Sequence, residues 1–211
     1  SAASSVAGVF AANELLGRPY SRRELVPFAM EGERIACGSA HADNVAPSLM
    51  GGIIFIRDNE SLDIHKLPPI PGLYLAMVHP AMTIMTKDAR DIIKPNVALE
   101  DHIHQSGNVG GLIIGFYTSD IELIKRSLND VIIEPQRASL IDHFYEVKEA
   151  ALNAGALGCS ISGAGPSMFA LCSNSIIAEE VSEAMSEVFK RNNIKSNPFI
   201  SRINQEGAII I

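Results

Sequence analysis

Pro68-Pro69-Ile70-Pro71-Gly72 divides this sequence in two. Three prolines in four residues fit neither a helix nor a central strand, because proline lacks the backbone N–H and fixes φ. The stretch is therefore a linker. Beyond it, Leu73–His79 reads as a buried strand and Thr86–Ile93 as a short helix ending before Pro95. Leu99–Thr118 and Ile121–Leu128 form a helical pair, and Leu140–Ala154 is a helix closed by Gly155. Two strands follow, Gly158–Ser162 and Ser167–Cys172, joined by the tight loop Gly163-Ala164-Gly165-Pro166. Ala178–Arg191 is an amphipathic helix, and Ser196–Ile203 and Gly207–Ile211 have strand character. Strand, helices, strand-turn-strand, helix, strand is the order of an α+β sandwich with helices on one face of an antiparallel sheet.

Before the linker, Ala2–Leu16 has helical spacing and stops at Gly17-Arg18-Pro19. Ser21, with Glu24 three residues on, is a capping box that opens a second helix running to about Glu33 or Ile35. A polar loop, Cys37–Asn44, leads through Val45–Ser48 to Gly51-Gly52 and the strand Ile53–Arg57. Asp58-Asn59-Glu60 is a turn, and Leu62–Leu67 a partner strand. The first twelve residues contain no Met and no basic region, so they are not a signal peptide. They read as a helix already under way, and the chain is expected to begin in the middle of a longer arrangement.

Of the 211 residues, 47 % are hydrophobic, which excludes a disordered chain. The net charge of −7 lacks the basic footprint of a nucleic-acid binder, so no nucleic-acid partner is expected. No apolar run approaches the ~18–20 residues of a membrane span. The three cysteines, Cys37, Cys159 and Cys172, form no C-x-x-C pair, which argues for a reducing compartment and against a zinc site. An anionic substrate would need a local cluster of donors, because the overall field repels it.

Four segments carry candidate chemistry. Ser1, Ser4 and Ser5 lie at a helix start, where exposed N–H groups and the macrodipole favour a phosphate. An N-terminal cap with small packing residues is the other reading. Glu33, with His41, Asp43 and Asn44 in the following loop, offers hard oxygen donors suited to Mg²⁺, or a solvated helix end and an Asx turn. Arg90 and Arg137 each present a planar fork to a carboxylate or phosphate, or make an ordinary ion pair. Gly163 and Gly165 allow a sharp turn and close approach to a ligand, or a plain hairpin. They do not open a helix, so a dinucleotide fingerprint fails.

Together these segments resemble the homoserine kinases of the GHMP small-molecule kinase superfamily. Ser1-Ala2-Ala3-Ser4-Ser5 is similar to the second half of the superfamily phosphate loop, Pro-x-x-x-Gly-Leu-Gly-Ser-Ser-Ala. Glu31-Gly32-Glu33 followed by Gly38-Ser39-Ala40-His41-Ala42-Asp43-Asn44-Val45-Ala46-Pro47 is the most specific match. Thr86-Lys87-Asp88-Ala89-Arg90 and the run from Asp130 to Arg137 fit the same family, and Ile161–Ser167 resembles the third, C-terminal glycine motif.

The resemblance implies that residues 1–67 are the C-terminal part of a ribosomal-S5-like GHMP N-terminal domain, which serves ATP and Mg²⁺. Residues 68–211 would be a ferredoxin-like α/β sandwich C-terminal domain. It implies transfer of the ATP γ-phosphoryl group to the hydroxyl of L-homoserine for threonine biosynthesis, in the cytoplasm, by a homodimer. Glu33 would bind Mg²⁺ together with Ser1, and Ser1, Ala2, Ser4 and Ser5 would face the nucleotide phosphates. Asn44, Arg90 and Arg137 would hold the amino acid, with His41 and Thr86 lining the same pocket. Gly163, Ala164 and Gly165 would close over it. Glu33, Asn44 and Arg137 would take the catalytic roles. The Gly-Leu-Gly half of the phosphate loop and an aspartate near the homoserine hydroxyl have no counterpart here, so the 211-residue chain alone is expected to be inactive. A mevalonate-type kinase and a non-catalytic amino-acid-binding module are the competing readings.

Overall fold

The computed structural model of the chain describes every residue except Ser39, and for Cys37, Thr86 and Lys87 the backbone alone. Two compact units emerge: Ser1–Pro69 with Ile203–Ile211, and Ile70–Arg202. They divide beside the proline linker. The tail Ile203–Ile211, read from the sequence as part of the second domain, groups with the first unit.

The first unit holds three helices and a hairpin: α1 (Ala2–Leu15), α2 (Arg22–Cys37), α3 (Ala42–Met50), β1 (Ile54–Asp58) and β2 (Asp63–Lys66). The capping box is formed, since Ser21 accepts from the Glu24 backbone N–H and the Ser21 N–H donates to Glu24 Oε2 at 2.8 Å. Asn13 pins the α1–α2 turn through both ends of its amide, donating to the Tyr20 carbonyl (3.0 Å) and accepting from the Tyr20 N–H (3.1 Å). The stretch read as loop is a helix from Ala42. Ala42, Val45, Ala46 and Leu49 fall at i, i+3, i+4 and i+7, all buried with Val6, Leu25, Val26 and Ala29. Pro47 inside it forgoes one backbone bond, which the buried face outweighs. Gly207–Ile211 is not a strand. The tail is tied down instead by Gly52 N–H on the Asn204 carbonyl (2.6 Å), by Lys66 Nζ on the Gln205 carbonyl (2.6 Å), and by Ala208 packing on the core.

In the second unit, β3 (Tyr74–Pro80), β4 (Gly158–Ile161), β5 (Met168–Cys172) and β6 (Ser196–Arg202) form an antiparallel sheet in the order β4-β5-β3-β6. The helices between β3 and β4 are α4 (Thr86–Asp91), α5 (Leu99–Thr118), α6 (Ile121–Ser127), α7 (Glu134–Arg137) and α8 (Phe144–Asn153). With α9 (Ser175–Arg191) before β6, this is the β-α-β-β-α-β order of a ferredoxin-like sandwich. Alternation along the strands sends Ala76 and Val78 of β3, and Met168, Ala170 and Cys172 of β5, to one face. There they meet Phe144, Val147 and Ala151 of α8 and Val181, Met185, Val188 and Phe189 of α9.

The helix read as Leu140–Ala154 is divided. A 3₁₀ turn, Ala138–Leu140, ends at extended Ile141, and His143 in the left-handed region (φ 61°) starts α8. The Asn174 side chain accepts from the Ile177 N–H at 2.9 Å, so α9 begins at Ser175 rather than Ala178.

Candidate active site

The candidate residues fall into two groups, one in each unit. In the first unit, Ser1 is the N-cap residue of α1 and Ser4 and Ser5 lie on its first turns. A Cβ on Gly32 would overlap the Ser5 side chain, so the start of α1 lies directly against Glu31-Gly32-Glu33 of α2. The serine-bearing start of α1 and the α2 segment that carries Glu33 are thereby brought together. The two glutamates differ. Glu31 is exposed and paired one turn on with Arg34, whose Nε donates to Oε2 at 2.9 Å, and this bond holds the Glu31 carboxyl below its ordinary range. Glu33 Oε1 is shut off from solvent and has no hydrogen-bond partner among the described residues. A buried acceptor left unmade costs about 1–3 kcal/mol, and a bound cation would satisfy it. Among the described residues no group of three or more His, Cys, Asp and Glu is placed to hold an ion. Glu33 therefore suits a hard cation that takes few protein ligands and completes its shell with phosphate and water.

His41 is the extended N-cap residue of α3, and Asn44 lies exposed on the helix's first turn. Asn59, in the β1–β2 turn, grips the backbone on both sides of His41: it accepts from the Ala42 N–H (2.9 Å) and donates to the Ala40 carbonyl (3.1 Å). The sequence gives Asn59 only turn character, and nothing local points to this clamp.

In the second unit, Arg137 ends α7. Its Nε donates to the Ala89 carbonyl (3.0 Å) and its Nη1 to the Gly163 carbonyl (3.1 Å). One guanidinium thus joins α4, which carries exposed Arg90, to the glycine loop. Thr86 starts α4, and its side chain lies outside the described residues. Gly163 and Gly165 take positive φ (61° and 84°), which lets the loop fold back with Ser162 N–H on the Ser167 carbonyl (2.8 Å). Ala164 sits between them, half-buried. His79 Nδ1 lies 2.8 Å from Ser167 Oγ at the foot of the loop.

Several residues that fix the chain leading into α7 carry no sequence signal of their own. Gln105 Oε1 accepts from the Val131 N–H (2.9 Å), Asn108 Nδ2 donates to the Asn129 carbonyl (2.8 Å), and Gln136 Oε1 accepts from the Lys94 N–H (2.7 Å). Asp130 Oδ1 accepts from both Ile132 and Ile133 N–H at 2.8 Å, an Asx turn that the Asp-x-x pattern could have marked. Burial pushes the Cys159 thiol up to about 12 and that of Cys172 to about 11, so both stay protonated and inert. The Cys37 side chain lies outside the described residues.

Residues 1–52 match the GHMP kinases N terminal domain and residues 112–191 the GHMP kinases C terminal domain. The chain is 51% identical over its whole length to a homoserine kinase of Chlorobium phaeovibrioides, covering 67% of that protein. The chain belongs to the homoserine kinase family. A Chloroherpeton thalassium homoserine kinase is 48% identical, again over the whole chain and 66% of the relative. The chain thus spans about two thirds of the length of these family members. The crystal structure of homoserine kinase from Cytophaga hutchinsonii superposes on 98% of this chain and 65% of that one, with TM-score 0.95 and 51% identity. The crystal structure of L. major mevalonate kinase in complex with R-mevalonate shares the fold at 16% identity and TM-score 0.76, over 99% of this chain and 66% of that one. Within the homoserine kinase family, the two-unit order and the ferredoxin-like sandwich read from the sequence stand as expected.

Proposed function

We propose that the protein transfers the γ-phosphoryl group of ATP to the side-chain hydroxyl of L-homoserine, giving O-phospho-L-homoserine. The observation that carries this reading is Arg137. Two of its five N–H donors are spent on main-chain carbonyls of α4 and the glycine loop. The guanidinium is thereby fixed before any ligand arrives, and its remaining donors can take a carboxylate fork-on-fork. A mevalonate hydroxyl acid has the carboxylate but not the ammonium group, which Asn44 and its neighbours on α3 would meet.

Phosphoryl transfer of this kind needs positioning and charge neutralisation more than covalent help. Arg137 and Arg90 would hold the amino-acid carboxylate, and Asn44, His41 and Thr86 would set the orientation of the substrate. The N-terminal turn of α1, with Ser1, Ala2, Ser4 and Ser5, would receive the nucleotide phosphates at the positive end of the helix. Glu33, aided by Ser1, would hold Mg²⁺, which when bound neutralises the charge on the β- and γ-phosphates. Gly163, Ala164 and Gly165 would close over the reacting groups and exclude water. No covalent phosphoenzyme forms on this route. The product would feed threonine synthesis in the cytoplasm, and the enzyme would work as a homodimer; cysteines without a pairing pattern support a reducing compartment.

An ADP-release assay on the full-length protein with a substrate panel tests the reading. Homoserine-dependent ADP release is expected. Release with mevalonate but not homoserine would overturn it, and calorimetry showing homoserine binding with no nucleotide binding would replace it with the non-catalytic module.

A further inference from the structure

Glu134 opens the single turn of α7, three residues before Arg137, and is only 5% exposed. One of its oxygens, Oε1, is ion-paired with Lys148 Nζ of α8, a side chain that is itself 17% exposed. The other, Oε2, is shut off from solvent and has no partner among the described residues. Cys159 of β4 lies close enough to feel both charges.

This is a poor arrangement for stability. Taking two charges out of water costs several kcal/mol per ion, and an apolar pair of the same volume commonly holds two elements together as well or better. The unpaired Oε2 adds to the cost. What the pair supplies is direction. A four-residue helix cannot fix its own rotation; in α7, backbone bonds to the Ile133 carbonyl from Gln136 (3.2 Å) and Arg137 (3.0 Å) close one turn. Positions i and i+3 lie on nearly the same side of that turn. Locking Glu134 to α8 therefore locks the azimuth of Arg137. The Asp130 turn and the Gln136 contact with Lys94 anchor the segment to loops, whereas Lys148 anchors it to a helix packed on the sheet.

We infer that the buried Glu134–Lys148 pair is a positioning device that aims the Arg137 guanidinium between α4 and the glycine loop, and that it is retained for this rather than for stability. The inference rests on the functional reading above, in which Arg137 holds the substrate carboxylate.

The test compares Glu134→Gln and the double variant Glu134→Met/Lys148→Met with the unaltered full-length protein. Three quantities are read: the melting temperature, KM and kcat with homoserine, and the solvent-exchange rate of the Arg137 Nε–H by NMR, its resonance identified by loss in Arg137→Lys. The double variant should melt at or near the native temperature. Its homoserine KM should nonetheless rise about tenfold or more, the scale set by ångström displacements of a substrate-holding group, with kcat changed much less. The Nε–H should exchange faster than in the unaltered protein. Glu134→Gln, which keeps the shape but not the charge, should show the same KM and exchange changes. A native KM and a native Nε–H exchange rate in either folded variant would overturn the inference, whatever its melting temperature. If the unaltered protein does not phosphorylate homoserine, the functional reading fails, and the exchange rates still decide whether the pair aims Arg137.

Discussion

The two units prepare their charges in opposite ways. In the first, Glu33 holds one oxygen buried and unmatched among the described residues, and the serines beside it lie on a helix start. In the second, Arg137 is already bonded to two carbonyls and its segment is held by Gln105, Asn108, Asp130 and Gln136. The acid waits for its partner, while the base is built into place. An open carboxylate suits a cation that arrives with phosphates and leaves with them. A fixed guanidinium suits a small carboxylate that must be oriented, since an arginine left loose would lose side-chain entropy at every binding event.

Removing the open group should have the largest effect. Glu33→Ala is expected to lower kcat on the order of 100-fold, the scale for losing a group that stabilises developing charge, with partial recovery at high Mg²⁺. Steady-state kinetics across a magnesium series would check it, and unchanged kinetics would take Glu33 out of the metal site. Removing the fixed group should act on binding instead. Arg137→Ala should raise the homoserine KM at least about tenfold, as the loss of a charge-assisted bond worth ~1.5–3 kcal/mol implies, with little change in the KM for ATP. The reverse pattern would move Arg137 to the nucleotide and dissolve the contrast.

The buried core behind the fixed group can be probed by pH. The Cys159 and Cys172 thiols ionise near 12 and 11 when folded, but near 8.5 when unfolded. Above that value the unfolded chain has lost protons the native one keeps. Stability should therefore be full below about pH 8.5 and fall by up to about 1.4 kcal/mol per pH unit for each thiol above it. Urea unfolding of the Cys159→Ala/Cys172→Ala variant, which should lack that part of the alkaline slope, measures it. The smallest effect belongs to the first unit: Ser21→Ala removes the α2 cap and should cost about 1 kcal/mol, read as a shift of the urea midpoint with homoserine KM unchanged.

The outline of the second unit was legible in the sequence because its strands alternate and its breaks are marked by Gly and Pro. The helix α3 was not, since Pro47 and the polar His41–Asn44 run masked the i, i+3, i+4, i+7 face formed by Ala42, Val45, Ala46 and Leu49. The candidate site residues stand in motifs that the sequence shows, yet the means of holding them was not legible. Asn59, Gln105, Asn108 and Glu134 act across 14 or more residues of chain, and no local pattern encodes a partner at that distance. Gly207–Ile211 has the composition of a strand, but the tail is held just before it, at the Gln205 and Glu206 carbonyls, by side chains from β2 and α2.

That tail has a consequence for the order of events during synthesis. The first unit is assembled from the earliest residues of this sequence and from Ile203–Ile211. Its helices can form while the ribosome is still making the sheet, but Arg22, Gly52 and Lys66 gain the carbonyls of Glu206, Asn204 and Gln205 only when those residues emerge. The second unit, continuous in sequence, has every strand in hand before then. The unit whose helices precede the sheet in this sequence is thus closed only after that sheet has been made.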